Sequence, residues 1–414
     1  MRIYISGISG TAMGPLALMA KEAGMEVCGS DLSHGAVTEE LEKAGIEVAI
    51  GEQDGNFLQK KVDDGGVDWF VYTSALPKDH KELALAHKLG LHCSKRDEFI
   101  QTLVERLGLK MVAVAGTHGK TTTTAGIVWL CRELKLPVAW LVGTTLGFAE
   151  AGRYTPEAKY LIYEADEYDR NFLYYHPWLA LITAVSYDHP DIYPTEEDYK
   201  AAFAQFVRQS RKTITETGGL EKKLSLAGKV RRFDLAMGVR AVQEIARDLK
   251  LPEGGASEKE LLAIADEFPG VGRRMEKIAE GVYSDYAHHP EEIHATIEIA
   301  REEAERTGRR GVVAVYEPHQ NVRQHEVFAG YREAFLGLEK LFWLPTYLTR
   351  ENPELAILRP EEFISSLENF EIAEAAERDE KLALRLKSYL DEGYLVLMMT
   401  AGPGDGWLRE NFGE

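Results

Sequence analysis

The sequence has few cysteines, no long apolar run and no excess of basic residues. Its three cysteines, Cys28, Cys93 and Cys131, lie far apart and form no CxxC or Cys/His zinc spacing. A sparse, odd count is typical of a reducing compartment rather than of a disulfide-stabilised secreted domain. No stretch approaches the roughly 18 apolar residues of a membrane-spanning helix, and residues 1–7 do not resemble a signal peptide. We therefore expect a cytoplasmic protein without a membrane partner.

The charge balance is acidic. Among 414 residues, 48 Lys and Arg face 67 Asp and Glu, for a formal net charge of −19. This balance argues against a nucleic-acid partner, because phosphate backbones are bound mainly by clustered basic residues. The acidic charge is compatible with nucleotide binding, since one phosphate-binding loop needs only a local positive potential.

The chain alternates short apolar runs with longer amphipathic segments, which is typical of βα units and parallel sheets. The pattern restarts near Leu107 and again after a Gly- and Arg-rich connector at 267–274. The length suits two to four domains. We predict an α/β fold of three domains, with boundaries at 1–107, 108–268 and 269–414.

The strongest local signal is AGTHGKTTTT at 115–124, which follows a predicted strand and opens a helix. Glycines let successive N–H groups point at phosphate oxygens, and the helix N-terminus adds positive potential. Lys120 would reach the β- and γ-phosphates, and the Thr121 hydroxyl would bind Mg²⁺. The alternative is a Gly-rich turn without a ligand. The predicted nucleotide-binding residues are Gly116, Thr117, His118, Gly119, Lys120, Thr121 and Thr122.

A second, weaker turn follows the first predicted strand. Its G-x-x-G spacing only approximates a dinucleotide fingerprint, but Asp31 follows the next strand, where an acid often meets a ribose hydroxyl. A Rossmann-like turn without a ligand would also explain it. The predicted substrate-binding residues here are Gly7, Ser9, Gly10, Thr11, Ala12, Met13, Asp31 and Ser74.

Acidic and histidine residues follow two further strands of the central region. Glu164 opens the run EADE at 164–167, and DHPD occupies 188–191. Carboxyl ends of parallel strands meet at one edge, where ligands bind. Together with phosphate oxygens, such side chains suit Mg²⁺ or Mn²⁺. Helix caps and turn acids are the alternative for either cluster alone.

Two strand ends of the last region carry histidines. DYAHHP covers 285–290, and PHQNVR covers 318–323. Two such turns with a nearby arginine favour a site for an anionic small molecule, because Arg323 could hold a carboxylate through two hydrogen bonds.

Taken in order, these motifs resemble the Mur ligase family, the ATP-dependent amide-bond-forming enzymes of peptidoglycan synthesis. The resemblance covers nearly the whole chain and is strongest with the alanine-adding members. It is carried by GISGTAMGPLA at 7–17, AGTHGKTTTT, EADEYDRNF at 164–172, DHPDIY at 188–193, GRR at 272–274, DYAHHP and PHQNVR.

The resemblance implies an N-terminal Rossmann-like domain that binds a UDP-sugar, a central P-loop ATPase-type domain and a C-terminal Rossmann-like domain that receives an amino acid. It implies a ligase in cell-wall synthesis, monomeric or homodimeric, with ATP and Mg²⁺ or Mn²⁺. The lactyl carboxylate of UDP-N-acetylmuramate would be phosphorylated by ATP, and L-alanine would then attack the acyl phosphate.

Residue roles also follow from the resemblance. Thr121, Glu164 and His189 would ligate metal, with Lys120, Glu164, His189, His288 and Arg323 taking part in catalysis. Arg273 would contribute charge near the phosphates. The amino-acid side would be lined by Tyr286, His288, His319 and Arg323.

Some positions depart from the family. The HNxxN stretch often found near the adenine corresponds to GKVRRFD at 228–234, and Gln320 stands where an arginine is common. Three alternatives stay open. They are the tripeptide-recycling ligase of the same family, an inactive nucleotide-binding relative, and a dinucleotide oxidoreductase.

Overall fold

A computed structural model describes residues 1–35, 37–73, 76–77, 79–144, 146–189, 192–251, 255–349 and 351–413. The chain forms two compact units. The first comprises Met1–Leu224 and Phe233–Pro269, and the second comprises Ser225–Arg232 and Gly270–Glu414. Two β-sheets lie in the first unit and one in the second, and all three are mainly parallel. This arrangement confirms the α/β class, while the residue boundaries of the three domains remain predictions.

The first sheet has the order β3-β2-β1-β4-β5 and is parallel throughout. The chain runs from β1 outward to β3 and then crosses to β4, so strand order reverses between β1 and β4. Its strands are β1 (Arg2–Ser6), β2 (Glu26–Asp31), β3 (Glu47–Ile50), β4 (Trp69–Tyr72) and β5 (His92–Lys95). Its helices are α1 (Met13–Glu22), α2 (Thr38–Lys43), α3 (Asn56–Asp63), α4 (Lys81–Lys88) and α5 (Arg96–Leu107).

The second sheet has the order β11-β10-β6-β9-β7-β8, with only β8 antiparallel to its neighbour among the described strands. The strands are β6 (Lys110–Ala115), β7 (Val138–Leu141), β8 (Gly152–Arg153), β9 (Tyr160–Glu164), β10 (Leu179–Ile182) and β11 (Thr213–Ile214). The helices are α6 (Lys120–Glu133), α7 (Glu196–Gln209), α8 (Lys229–Asp248) and α9 (Glu258–Asp266), with 3₁₀ segments at Tyr168–Tyr174 and Leu220–Lys223.

The third sheet has the order β12-β13-β17-β14-β15-β16, and β12 pairs antiparallel with β13. The strands are β12 (Glu276–Ala279), β13 (Val282–Asp285), β14 (Val312–Glu317), β15 (Lys340–Trp343), β16 (Ala373–Ala375) and β17 (Leu395–Thr400). The helices are α10 (Pro290–Arg306), α11 (Asn321–Val327), α12 (Pro360–Ile364), α13 (Glu380–Asp391) and α14 (Gly404–Phe412), with 3₁₀ segments at Phe328–Glu333 and Phe370–Ile372.

The local sequence explains these elements. Met111–Ala115 of β6 and all of β14 are fully buried, as expected of central parallel strands covered on both faces. The hydroxyl of Thr195 accepts a hydrogen bond from the Asp198 amide and caps α7, whose first turn is acidic. Within the described residues, no helix is long and apolar enough to cross a membrane.

One hydrophobic core joins the two sheets of the first unit. It includes Ile5 and Phe99 from the first sheet and Leu161 and Tyr175 from the second, all at most 1% exposed. Because this core is continuous, the turn after β1 and the loop after β6 are held in a fixed relation within the unit.

Candidate functional site

The phosphate loop leaves the carboxyl end of β6, a central strand between β10 and β9. Glycine is required at two of its positions. Gly116 has φ +147° and Gly119 has φ +81°, and a Cβ at these residues would lie 2.2 Å from Thr183 Oγ1 and 2.4 Å from Asp234 Oδ1, respectively. The neighbouring Thr183 hydroxyl donates to the His118 carbonyl. The loop is therefore closed tightly against β10 and α8.

Thr117 shapes this loop with its side chain. Its hydroxyl donates to the Ser186 carbonyl at 2.7 Å and accepts from the Ser186 amide at 2.9 Å. The hydroxyl has only one proton, so the 2.8 Å contact with Tyr199 is a bond that Tyr199 donates. Thr117 is thus occupied by loop contacts. Thr122 and His118 are half-buried beside it.

Lys120 has an internal counterion. Its Nζ lies 2.8 and 3.0 Å from the two carboxylate oxygens of Glu167 and 2.6 Å from the Gly116 carbonyl oxygen. Glu167 is only 1% exposed. Burial raises the pKa of the Glu167 carboxyl above its usual value, although the Lys120 charge opposes that shift. An incoming phosphate must compete with this carboxylate for the ammonium group.

Thr121 and Glu164 form the oxygen pair expected of a metal site. Thr121 Oγ1 donates to Glu164 Oε1 at 2.9 Å, at the end of β9. Nowhere in the described residues do three or more His, Cys, Asp or Glu side chains form a cage for a metal. Hydroxyl and carboxylate oxygens fit Mg²⁺, which takes its remaining ligands from phosphates and water.

His189 lies beside Glu167. Its Nε2 is 3.8 Å from Glu167 Oε1 and 3.6 Å from Asp188 Oδ2, and its ring stacks edge-on with Tyr168 at 5.1 Å. Its backbone has φ +57°, a conformation that costs free energy outside glycine. Pro190 and Asp191, the rest of the DHPD motif, lie outside the described residues.

The turn after β1 is stabilised by Asp31. Its carboxylate accepts from the Ser9 amide at 2.8 Å and from the Leu32 amide at 2.8 Å. Gly7 has φ +81°, and its amide donates to the Ser30 carbonyl. Asp31, expected to contact a ligand, therefore supports the loop that precedes α1.

The other residues expected in this turn differ in exposure. Ser9 and Met13 are buried, while Gly10 and Thr11 are exposed and Ala12 is half-buried at the start of α1. The Ser9 hydroxyl accepts from Thr38. Ser74 lies outside the described residues. Gly10, Thr11 and Ala12 are thus the parts of the turn that a ligand can reach.

A cavity of about 250 Å³ connects this turn with the phosphate-loop site. Its lining combines residues of α1 and α5 with residues of the second sheet and the phosphate loop. The lining residues are Ala12, Pro15, Arg96, Ile100, Lys120, Leu141, Val142, Gly143, Tyr163, Glu164 and Asp166. A substrate bound at the turn could therefore reach the phosphate-loop lysine.

The sequence interpretation gave no role to Arg96 or Glu82, and it included Glu167 only as part of the EADE run of candidate metal ligands. Glu82 is 1% exposed and accepts hydrogen bonds from the hydroxyls of Tyr4, Ser6 and Ser30 at 2.6–2.8 Å. Nothing in the charged helical run KELALAHK distinguishes this buried glutamate from an exposed one. Glu167 belongs to the same EADE run as Glu164. The sequence therefore already placed it near the predicted metal site.

In the second unit, Asp285 is a structural residue. It is 4% exposed and accepts from the amides of Met275 at 2.7 Å and Ala287 at 2.8 Å, and from the Thr296 hydroxyl. Burial raises the pKa of its carboxyl. Its contacts fix the loop that carries the next functional side chains.

Tyr286, His288, His319 and Arg323 form what we call the histidine–arginine cluster. The Tyr286 and His288 rings are 5.3 Å apart, and the His288 and His319 rings are 6.1 Å apart. His288 Nδ1 lies 3.0 Å from the Tyr286 carbonyl oxygen. Burial lowers the pKa of His288 to about 4, and the charge of Arg323 adds to that lowering. His288 is therefore neutral at pH 7.

Arg323 lies half-buried in α11. Among the described residues, no carboxylate lies within ion-pair distance of it. The next residue, Gln324, donates to the His319 carbonyl at 3.1 Å and accepts from the Tyr331 hydroxyl at 2.7 Å. Gln324 thus anchors the turn beside Arg323, and the contact of Arg323 with a carboxylate ligand stays a prediction.

Arg273 supports this cluster. Its guanidinium donates to the Thr400 carbonyl and stacks over the Tyr286 ring at 4.7 Å. Its backbone has φ +56°. These contacts hold Tyr286 in place, and the expected role of Arg273 near phosphates stays a prediction.

Two family profiles match the chain. The profile described as "Mur ligase family, catalytic domain" matches residues 2–107, and "Mur ligase middle domain" matches residues 114–216. Among solved structures, UDP-N-acetylmuramate–alanine ligase MurC from Thermotoga maritima is similar with a TM-score of 0.74 at 22% identity, covering 99% of this chain and 98% of that one. A murein peptide ligase from Psychrobacter arcticus has a TM-score of 0.59 at 21% identity, covering 99% and 98%.

Curated relatives resemble the chain over most of its length. UDP-N-acetylmuramate–L-alanine ligase from Rubrobacter xylanophilus is 30% identical over an alignment of 447 residues, covering 98% of this chain and 95% of the relative. The enzyme of that name from Syntrophomonas wolfei is 31% identical over 389 residues, covering 81% and 80%. With the phosphate-loop site and the histidine–arginine cluster, this likeness shows that the chain belongs to the Mur ligase family.

Proposed function

We propose that the chain is an ATP-dependent ligase that joins L-alanine to the lactyl carboxylate of UDP-N-acetylmuramate in peptidoglycan precursor synthesis. The curated relatives described above carry the name UDP-N-acetylmuramate–L-alanine ligase. The observation that carries the proposal is the cavity in which the turn after β1 meets Lys120 and Glu164. It supports a reaction between a molecule bound at that turn and the phosphate of a nucleotide.

The chemistry has two steps. A carboxylate oxygen of the sugar nucleotide forms a bond to the γ-phosphorus of ATP, while the bond to the bridging oxygen breaks and its electron pair leaves with ADP. The amine of alanine then attacks the acyl carbon and loses a proton, and the C–O bond breaks with its electron pair leaving on phosphate. Phosphorylation is needed because a free carboxylate is a poor acyl donor.

The phosphate-loop site supplies the charge for the first step. Lys120 would leave Glu167 and bind the transferring phosphoryl group, which reduces the repulsion between two anions. Thr121 and Glu164 would hold a divalent cation, which neutralises charge on the phosphates when it is bound. Gly116 and Gly119 keep the loop backbone close to those phosphates.

The histidine–arginine cluster would bind the amino acid. Arg323 would hold the alanine carboxylate, since the described residues offer it no internal acid. His288, with a pKa of about 4, would accept a hydrogen bond from the amine as a neutral imidazole and add no positive charge next to Arg323. His319 and Tyr286 would enclose the site.

The test is phosphate release from ATP and Mg²⁺ with UDP-N-acetylmuramate, with L-alanine, glycine, L-serine and the tripeptide supplied separately and each product weighed by mass spectrometry. We expect ligation of L-alanine. Ligation of the tripeptide alone would assign the chain to the recycling branch. Binding of the sugar nucleotide without amide formation from any amine would favour an inactive relative.

A further inference from the structure

Arg96 is the second cation of the cavity that holds Lys120 and Glu164. It follows β5 directly and is the first residue of α5, at the carboxyl edge of the first sheet. A positive side chain is unfavourable at a helix N-terminus, because the helix dipole already places positive potential there. Asp97 and Glu98, in the first turn of the same helix, supply the negative charge that offsets this effect.

The Nε–Nη2 edge of the Arg96 guanidinium is held in place by Asp97. Its Nε and Nη2 donate to Asp97 Oδ1 at 3.3 and 3.0 Å. Asp97 is 2% exposed and also accepts from the Tyr175 hydroxyl at 2.5 Å, and the Tyr163 hydroxyl lies 3.4 Å away. Tyr163 directly precedes Glu164 in β9. One buried carboxylate thus fixes Arg96 relative to the strand that carries the metal-site glutamate.

The Nη1 group of Arg96 is available to bind a ligand. Among the described residues its Nη1 has no hydrogen-bond partner, and the side chain is 20% exposed. The cavity also contains Lys120, but that ammonium already has Glu167 and a carbonyl as partners. Arg96 is therefore the cavity cation that still has a donor to offer an incoming anion.

The rest of the cavity wall indicates which anion fits. Pro15, Ile100, Leu141 and Val142 are the apolar residues of the cavity lining, and they suit a short alkyl substituent rather than a bare phosphate. Ala12 connects the cavity to the turn after β1. A planar guanidinium recognises a carboxylate through parallel hydrogen bonds. The ligand chemistry is thus a carboxylate with a small apolar group, attached to a molecule bound at that turn.

We propose that Arg96 contacts the substrate and binds the carboxylate that becomes phosphorylated, with Asp97 and Tyr175 as positioning residues that hold the guanidinium. The inference rests on the proposed function and adds a residue that selects the acid form of the sugar nucleotide. Arg96 forms no covalent bond. It holds the nucleophilic carboxylate next to the phosphate-loop site and reduces its repulsion with the γ-phosphate.

The test measures affinities by calorimetry for three ligands: UDP-N-acetylmuramate, its analogue with the lactyl carboxylate replaced by a neutral amide, and a non-hydrolysable ATP analogue. The proteins are the wild type, Arg96→Ala, Arg96→Lys, Tyr175→Phe and Arg106→Ala. Arg106 is the matched control, because it lies on the same helix but is exposed and contacts only Met1 Sδ among the described residues.

We expect the wild type to prefer the acid over the amide by about tenfold or more. In Arg96→Ala the affinity for the acid falls by about that factor, and the affinities for the amide and the ATP analogue stay within twofold. Arg96→Lys keeps part of the preference because it keeps the charge but not the planar fork. Tyr175→Phe should lose part of the preference for the acid over the amide, and Arg106→Ala should lose none of it. Unchanged affinity for the amide also establishes that each variant is folded.

Other outcomes overturn the proposal in distinguishable ways. If Arg96→Ala weakens binding of the acid and the amide equally, Arg96 contacts the diphosphate of the sugar nucleotide. If it weakens binding of the ATP analogue alone, Arg96 contacts the γ-phosphate. No change at all would make Arg96 a structural residue. In these cases the wild type still binds the sugar nucleotide, so the proposed function survives. If the wild type binds no sugar nucleotide, the proposed function fails as well.

Discussion

The phosphate-loop site and the histidine–arginine cluster handle charge in opposite ways. In the first, Lys120 is paired with the buried Glu167, and Thr121 is hydrogen-bonded to Glu164. In the second, Arg323 has no carboxylate partner within ion-pair distance among the described residues, and burial keeps His288 neutral. Both sites bind anions in the proposed reaction, but only the first carries its own counterion.

This difference follows from the ligands. A nucleotide arrives with several negative charges and can displace a carboxylate from Lys120, so the lysine is held in position by Glu167 until then. A single amino-acid carboxylate could not offset the loss of an internal ion pair as easily. Accordingly, no described residue offers Arg323 an acid, and burial reduces the positive charge around it by lowering the pKa of His288.

The largest expected effect comes from removing the lysine. Lys120→Ala should lower ADP formation by about 10³-fold or more, because the ammonium group would bind the transferring phosphoryl group directly. Binding of UDP-N-acetylmuramate, measured by calorimetry, should change less than about twofold. Lys200→Ala, at an exposed lysine on α7, is the control. Equal loss of both properties would contradict separate sites for nucleotide and sugar nucleotide.

Glu167→Gln tests the internal counterion directly. It leaves the Lys120 charge without its buried partner, so the nucleotide-free protein should lose about 2–3 kcal/mol of unfolding free energy. ATP should then raise the melting temperature of the variant more than that of the wild type, because its phosphates replace the missing charge. Thermal melting with and without ATP measures both effects. Glu197→Gln, at an exposed residue in the first turn of α7, should change neither.

Arg323→Ala tests the unpaired cation. The KM for alanine should rise about 10- to 100-fold, with the KM for ATP nearly unchanged, because the lost contact is local. The pKa of His288, measured by NMR, should rise from about 4 while staying below its usual value, since burial remains. Arg323→Lys should keep the low pKa of His288 but lose much of the affinity for alanine. An unchanged KM for alanine in Arg323→Ala would remove Arg323 from the site.

The smallest expected effect concerns the backbone of the second site. Gln320 has φ +64°, a conformation that only glycine adopts without strain. Gln320→Gly should therefore stabilise the protein by up to about 1 kcal/mol in denaturant unfolding. Gln320→Ala keeps the Cβ and should show no such gain. A gain of equal size in both variants would attribute the effect to the side chain rather than to the backbone.

Much of the fold was predictable because the central strands, such as β6 and β14, are short apolar runs. The expected phosphate loop follows β6, and the EADE run begins at the last residue of β9, as predicted from strands before both motifs. The segment at 228–234, compared with the adenine stretch of relatives, lies largely in α8, where Asp234 packs against Gly119. That contact joins residues 115 positions apart, and no local pattern indicates it.

The candidate site was predictable in part. The sequence identified Lys120, Thr121 and Glu164 as neighbours in function, and the structure brings the last two into hydrogen-bond contact. It predicted a ligand contact for Asp31, which stays a prediction, and it did not predict that this carboxylate also holds the turn after β1. A carboxylate at the end of a strand can face a ligand or its own loop, and the spacing is the same in both cases.

The sequence by itself determined the order of strands and loops, the glycines that the phosphate loop needs, and the identity of the charged residues, because these depend on local geometry and on residue chemistry. The tertiary structure alone decided which charges are paired. Lys120 of α6 meets Glu167 from the loop after β9, and Arg96 is fixed by an aspartate that Tyr175 anchors. No carboxylate among the described residues pairs with Arg323. Charge pairing depends on distances of a few ångströms and on burial, and both are set only when distant segments pack together.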